Sequence, residues 1–270
     1  MTHTLRRLTT SLLLVALLAG LTGGDAVSEV LRPALQPAGQ LRVVALGDSV
    51  TSGHNCNCAG FPQMYGGLLA DRTGAPVAVN NLGVAGLDSN GLLTSLDRRN
   101  STMQVVTAAA DVVLLTIGAN DFSDHQDDVT GGQCSTECTT DELDELTTNM
   151  RRIIGQIHTL RGGSPTTILV TGYWNVFQDG DVARRRYPPP GRLASDQLTR
   201  EANKLIADVG HSDQATYVDI YNPFEDHPAG ITTLLAPDGD HPNAAGHRLI
   251  AQLLLAATPN GLGVTSRQGG

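Results

Sequence analysis

Four short segments of this chain carry side chains suited to acyl transfer: Gly47-Asp48-Ser49-Val50-Thr51-Ser52-Gly53, Asn81-Leu82-Gly83-Val84-Ala85-Gly86, Gly118-Ala119-Asn120-Asp121 and Asp238-Gly239-Asp240-His241-Pro242-Asn243. A hydroxyl attacks an ester carbonyl when a nearby imidazole takes its proton, and imidazole titrates close to neutral pH. Ser49 and His241 offer that pair. Asp238, three positions before His241, would hold the imidazole tautomer and stabilise the imidazolium. Asp240 is the competing carboxylate, but its neighbouring position on an extended loop should point it away from the ring. Charge growing on the carbonyl oxygen needs preset donors. The backbone N–H groups of Ser49 and Gly83 and the side-chain amide of Asn120 would provide three.

Such groups must be held by a rigid frame. Short apolar, β-branched runs at 41–46, 77–82, 112–117, 167–171 and 216–220 have the profile of buried parallel strands. Helical spacing fills the intervals: Phe61 to Arg72, Gly91 to Arg98, Leu143 to Leu160 at steps of three and four, Leu198 to Val209, and Ala244 to Ala256. Alternating strands and helices predict an α/β domain with a parallel sheet covered on both faces. In such a sheet the ligand crevice lies outside the carboxyl ends of the strands. The first three chemical segments follow the first three strands, and the fourth precedes the last helix.

The four blocks, in this order, resemble the SGNH or GDSL hydrolase family, whose four letters are Ser49, Gly83, Asn120 and His241. The similarity runs from Gly47 to His247, with Val50 standing where the family name has Leu. The resemblance implies a three-layer α/β/α sandwich, flavodoxin-like, with a five-stranded parallel sheet. It implies Ser49 as nucleophile, Asp238 and His241 as the rest of a triad, and Ser49, Gly83 and Asn120 as the oxyanion hole. The reaction it implies is hydrolysis of a carboxylic ester with no metal and no cofactor. An acyltransferase using the same triad is the alternative, and a catalytically silent binding protein on this fold is a third reading. No G-x-S-x-G elbow, H-E-x-x-H, P-loop or dinucleotide glycine fingerprint occurs, and Lys204 is the one lysine.

Composition narrows the partners. The net charge is -9 with 17% charged and 4% aromatic residues, so neither a phosphate-binding basic face nor a stacking platform for nucleic acid is present. The expected partner is a small-molecule, lipid or acylated-carbohydrate ester, met by a monomer. Arg6 and Arg7 precede an apolar run from Ser11 to Leu18 and then small residues from Gly20 to Ala26, the form of a secretory signal peptide over 1–26. An uncleaved amphipathic anchor is the rival. Cleavage after Ala26 removes two Arg and one Asp, leaves a charge of -10, and predicts a secreted enzyme without stable membrane insertion. A loose leader over 27–40, one hydrolase domain over 41–258 and a flexible tail over 259–270 complete the expected organisation.

Four cysteines in an exported chain read first as two disulfides. Bridges crossing between the Cys56/Cys58 and Cys134/Cys138 pairs avoid the tight ring of a Cys56–Cys58 bond, and a four-thiolate zinc site is the rival. Two long connections, 122–140 and 173–191, read as functional walls or lids. Tyr173, Trp174 and Phe177 in the second are either core or an acyl-pocket wall. Arg184, Arg185 and Arg186 are either a solvated face or a site for an anionic group. Asp121 is expected to tie down the loop presenting Asn120, and His247 to be structural.

Overall fold

A computed structural model describes residues 39–262. The expected signal peptide, nearly all of the expected leader and the end of the expected tail lie outside the described residues. The chain runs β1 (Leu41–Gly47), α1 (Ser49–Ser52), α2 (Phe61–Thr73), β2 (Val77–Gly83), α3 (Ser89–Asp97), α4 (Thr102–Thr107) and β3 (Val112–Thr116). It continues with α5 (Gln126–Gly131), α6 (Thr140–Arg161), β4 (Thr167–Thr171), α7 (Gly180–Arg186), α8 (Pro189–Ser212), β5 (Thr216–Val218), α9 (Tyr221–Glu225) and α10 (Ala244–Ala257). All strand pairings are parallel, and the order is β2-β1-β3-β4-β5. This is the flavodoxin-like order, whose direction reverses between β1 and β3 and opens a crevice at their carboxyl ends.

Both sheet faces are buried, which explains why the strands read as nearly continuous apolar runs. Side chains alternate across a strand, so Val44 and Leu46 enter one core with Leu92, Leu146, Ile153, Leu198 and Ile206 from α3, α6 and α8. Val43 and Ala45 enter the other with Phe61, Tyr65, Leu69, Ile250 and Leu254 from α2 and α10. Helices therefore sandwich the sheet in three layers, as expected.

The two long connections are not simple loops. The first carries a 3-10 turn, Asn120–His125, and then α5, whose first turn holds Asp127 and Asp128 where the helix dipole favours acids. The second carries α7, capped by the Asp179 carboxylate on the Gly180 N–H.

The crossed disulfides expected from ring strain do not form. Cys56 pairs with Cys58 and Cys134 with Cys138, at Cα separations of 5.1 and 6.0 Å. Asn57, at φ 50°, turns the chain back between the first two cysteines and makes the small ring geometrically accessible. Crossing is prevented by the layers. Cys134 and Cys138 pack on the α6/α8 core, whereas the Cys56 and Cys58 sulfurs lie within 4.8 Å of a ring nitrogen of His247 on α10, on the other face.

Candidate active site

Register brings the first three segments to one edge. Gly47 at the end of β1 pairs with Gly83 at the end of β2 and with Thr116 near the end of β3. Gly47 sits at φ 146°, and a Cβ there would meet the Thr116 carbonyl oxygen at 2.0 Å, so only glycine lets the chain turn from β1 into the Ser49 helix. A Cβ on Gly83 would lie 2.4 Å from the Ser52 N–H nitrogen and 2.8 Å from Thr51 Cβ. The glycines thus let two strand ends close on α1, which starts at Ser49.

Asp48 shapes that turn from inside. It is 1% exposed. Its Oδ1 accepts the Val50 N–H at 2.9 Å as the cap of α1, and its Oδ2 accepts the Tyr173 hydroxyl. Tyr173, Trp174 and Phe177 are all buried, which settles them as core; Trp174 stacks on Phe224 at 4.7 Å. Burial pushes the Asp48 carboxyl up to about 6, only partly offset by the Tyr173 hydroxyl and the Val50 and Thr51 amides. Between about pH 4 and 6 the folded chain therefore keeps a proton that the unfolded chain releases. This contribution to stability is complete below pH 4 and lost as pH rises through 6.

Asp48→Asn keeps the oxygen that caps Val50 and turns an amide toward the Tyr173 oxygen. The variant is expected to be more stable than the parent at pH 7.5 by up to about 3 kcal/mol, two pK units at 1.4 kcal/mol each. Its stability should fall less steeply than the parent's between pH 4 and 6.5, because the share of Asp48 is gone while Asp121, raised to about 6, and Glu225, raised to about 7, both by burial, keep their falling slopes and His247, drawn down to about 4, keeps its opposing one. Urea melts at pH 4.0 and 7.5 check this, and an unchanged slope refutes it.

Asn120 begins the 3-10 turn beyond β3, and its Nδ2 donates to the Leu87 carbonyl at 2.9 Å. Asp121 anchors this turn as expected. It accepts the Ser89 N–H at 3.0 Å and the Ser89 hydroxyl, while Asn149 of α6 donates to Ser89 Oγ at 3.0 Å. The Gly83 N–H donates to Asn81 Oδ1 at 3.0 Å, and Asn81 Nδ2 donates to the Thr51 carbonyl at 2.8 Å. Asn81 thus holds one of the three expected oxyanion donors against α1, a contact that sequence reasoning did not identify.

The fourth segment folds into a tight turn around Asp238. Its Oδ1 accepts the N–H groups of Asp240 at 3.0 Å and His241 at 3.1 Å; its Oδ2 accepts His241 Nδ1 at 2.8 Å and Asn55 Nδ2 at 2.5 Å. Burial alone would raise the Asp238 carboxyl. The two backbone donors, with Asn55 and His241, outweigh it and bring it down to about 2. Asp240 lies 3.8 Å from His241 Nδ1 with a side chain 46% exposed, so Asp238 is the partner, as its spacing predicted. Gln178 donates to the Asp238 carbonyl at 2.8 Å, and the Asp179 N–H donates to the Gly239 carbonyl at 2.7 Å, which pins the turn from the second long connection.

The Ser49 turn and the His241 turn meet through the segment after α1. The His54 N–H donates to the Ser49 carbonyl at 3.0 Å, and the His54 ring meets the His241 ring edge-on at 4.9 Å. With Nδ1–H committed to Asp238, His241 presents its Nε2 lone pair. Among the described residues neither this nitrogen nor the Ser49 hydroxyl has a hydrogen-bond partner, leaving both for a substrate; such bonds commonly tighten only on binding.

His247 is buried on α10. Its Nδ1 accepts the Phe61 N–H at 3.2 Å at the start of α2, and burial draws it down to about 4, so it is a neutral structural residue. Arg184 and Arg186 bond Asp181 and Gln178 on an exposed face.

Residues 45–249 match the model of the GDSL-like lipase/acylhydrolase family. A lipase from a goat rumen metagenome, Lip_vut3, shares this fold at a TM-score of 0.67 and 19% identity, over 80% of this chain and 97% of that one. The acetylxylan esterase Axe2 from Geobacillus stearothermophilus is similar at 0.56 and 20%, over 82% and 96%. A lipase/acylhydrolase from Enterococcus faecalis is similar at 0.54 and 20%, over 80% and 94%. A search of curated proteins finds no match. With three-quarters of its length spanned by the family match, the chain belongs to the GDSL-like lipase/acylhydrolase family.

Proposed function

We propose that this protein is an exported serine hydrolase that cleaves carboxylic esters through an acyl-enzyme on Ser49. The observation that carries this reading is the Asp238 Oδ2 to His241 Nδ1 bond at 2.8 Å, which leaves Nε2 as the acceptor on a ring that meets His54, whose N–H is bonded to the Ser49 carbonyl. Ser49 Oγ adds to the ester carbonyl as His241 Nε2 takes its proton. The oxyanion is received by the Ser49 N–H, the Gly83 N–H once it leaves Asn81, and an Asn120 N–H. The C–O bond then breaks, and the alcohol leaves with the proton held by His241. Water repeats the sequence on the acyl-enzyme, giving the acid and restoring the serine.

A cavity of about 300 Å³ opens beside Gly83, lined by Leu82, Val84 and Met103 together with Arg98, Ser95, Ser101 and Thr102. Its mixed lining suits a compact acyl group, and the short-acyl substrate named for Axe2 is consistent with that size. Among the described residues no helix is long and apolar enough to cross a membrane. The paired arginines and apolar run before Ala26 support export.

One experiment addresses both parts. The full-length gene is expressed, and protein recovered from the medium is treated with an alkyl phosphonofluoridate. Intact mass and peptide mapping are expected to show a chain beginning after Ala26, with one phosphonyl group on Ser49 and hydrolysis of p-nitrophenyl butyrate lost in step with labelling. A label on any other residue, or retained hydrolysis after full labelling, overturns the mechanism; a retained N-terminus overturns the cleavage.

A further inference from the structure

The geometry points to Asn55 as a positioning residue that fixes the Asp238–His241 turn relative to the Ser49 turn. Of the four hydrogen bonds that the Asp238 carboxylate accepts, two come from backbone N–H groups of its own turn and one from the His241 ring. The fourth comes from Asn55, 183 residues away. Asn55 lies six residues beyond Ser49, and the backbone between them is locked. Gly53 closes α1 at φ 76°, the His54 N–H bonds the Ser49 carbonyl, and the Cys56 N–H bonds the Gly53 carbonyl at 3.3 Å. Asn55 itself stands at φ 59°, a left-handed conformation in which asparagine is tolerated far better than other side chains with a Cβ. Beyond it the Cys56–Cys58 bridge rests against buried His247. The segment is therefore a short brace from the nucleophile to the carboxylate that orients the imidazole, and its last link is the Asn55 amide.

This amide also acts on the charge of the triad. It donates to Oδ2, the oxygen that receives His241 Nδ1–H, and so withdraws negative charge that would otherwise stabilise the imidazolium. The other titratable groups around the pair are Asp240, His54 and His247; Asp48 and Tyr187 face Asp240. The variants below change none of them.

The inference rests on the Ser49–His241–Asp238 reading. Asn55→Gly removes the amide and keeps the left-handed backbone, whereas Asn55→Asp keeps the size and sets a carboxylate against Asp238. Turnover of p-nitrophenyl butyrate is normalised to sites titrated with the phosphonofluoridate. For Asn55→Gly, kcat per site is expected to fall about ten- to a hundredfold with KM within twofold, because misplacement of a catalytic group costs turnover rather than binding. The acid limb of kcat/KM should move to higher pH in Asn55→Gly and further in Asn55→Asp, since each change favours the imidazolium. An unchanged limb with parental kcat per site in Asn55→Gly overturns the inference. So does a variant that merely loses titratable sites, because that pattern belongs to a residue needed only for folding. If the phosphonofluoridate labels no serine in the parent, the triad reading has failed instead, and the two failures are distinct.

Discussion

Ser49→Ala is expected to lower kcat on p-nitrophenyl butyrate by about six orders of magnitude, the loss seen when a triad nucleophile is removed. The substitution should leave circular dichroism and thermal stability unchanged. The Ser49 hydroxyl makes no hydrogen bond among the described residues, and the cap of α1 is supplied by Asp48, not by Ser49. The Ser52 hydroxyl and the His54 N–H bond the Ser49 carbonyl, which alanine retains. Because nucleophile, base and orienting carboxylate act as a unit, Ser49→Ala combined with Asp238→Asn should be no slower than Ser49→Ala alone. Hydrolysis by the single variant within a hundredfold of the parent would rule out an acyl-enzyme on Ser49.

What made the frame legible was burial on both sheet faces. Runs such as Val112 to Ile117 carry no alternation, have strand length and end in glycine, and the observed strands begin at the expected residues. The site residues could be read because each follows a strand or precedes the last helix, where a parallel sheet places its ligands. The residues that hold them in place could not. Asn55 meets Asp238, Tyr173 meets Asp48 and Asn149 meets Ser89 across 183, 125 and 60 residues, and no local period encodes such pairs. Sequence placed Tyr173 only as far as core or pocket wall; the buried carboxylate of Asp48, before Ser49, is what decides it. The cysteines failed for a related reason. Ring strain argued against Cys56–Cys58, but the left-handed Asn57 and the position of the two pairs on opposite sheet faces are tertiary facts.

Asp238→Asn is expected to lower kcat by about four orders of magnitude, and Asp240→Asn by no more than a few-fold. The difference follows from which atoms are already committed. The N–H groups of residues 240 and 241 both point at Oδ1, so an asparagine at 238 must keep its oxygen there and turn its NH2 toward His241 Nδ1. Facing a donor, Nδ1 becomes the acceptor and the ring proton moves to Nε2, the nitrogen that has to accept the serine proton. The Asn55 amide, another donor aimed at the same atom, must turn away and release the brace as well. Asp240 has no comparable hold, being 3.8 Å from Nδ1 with a side chain nearly half in solvent, where charge is screened. Steady-state kcat for both variants on p-nitrophenyl butyrate decides the assignment: a large loss in Asp240→Asn with a small one in Asp238→Asn would transfer the triad role to Asp240.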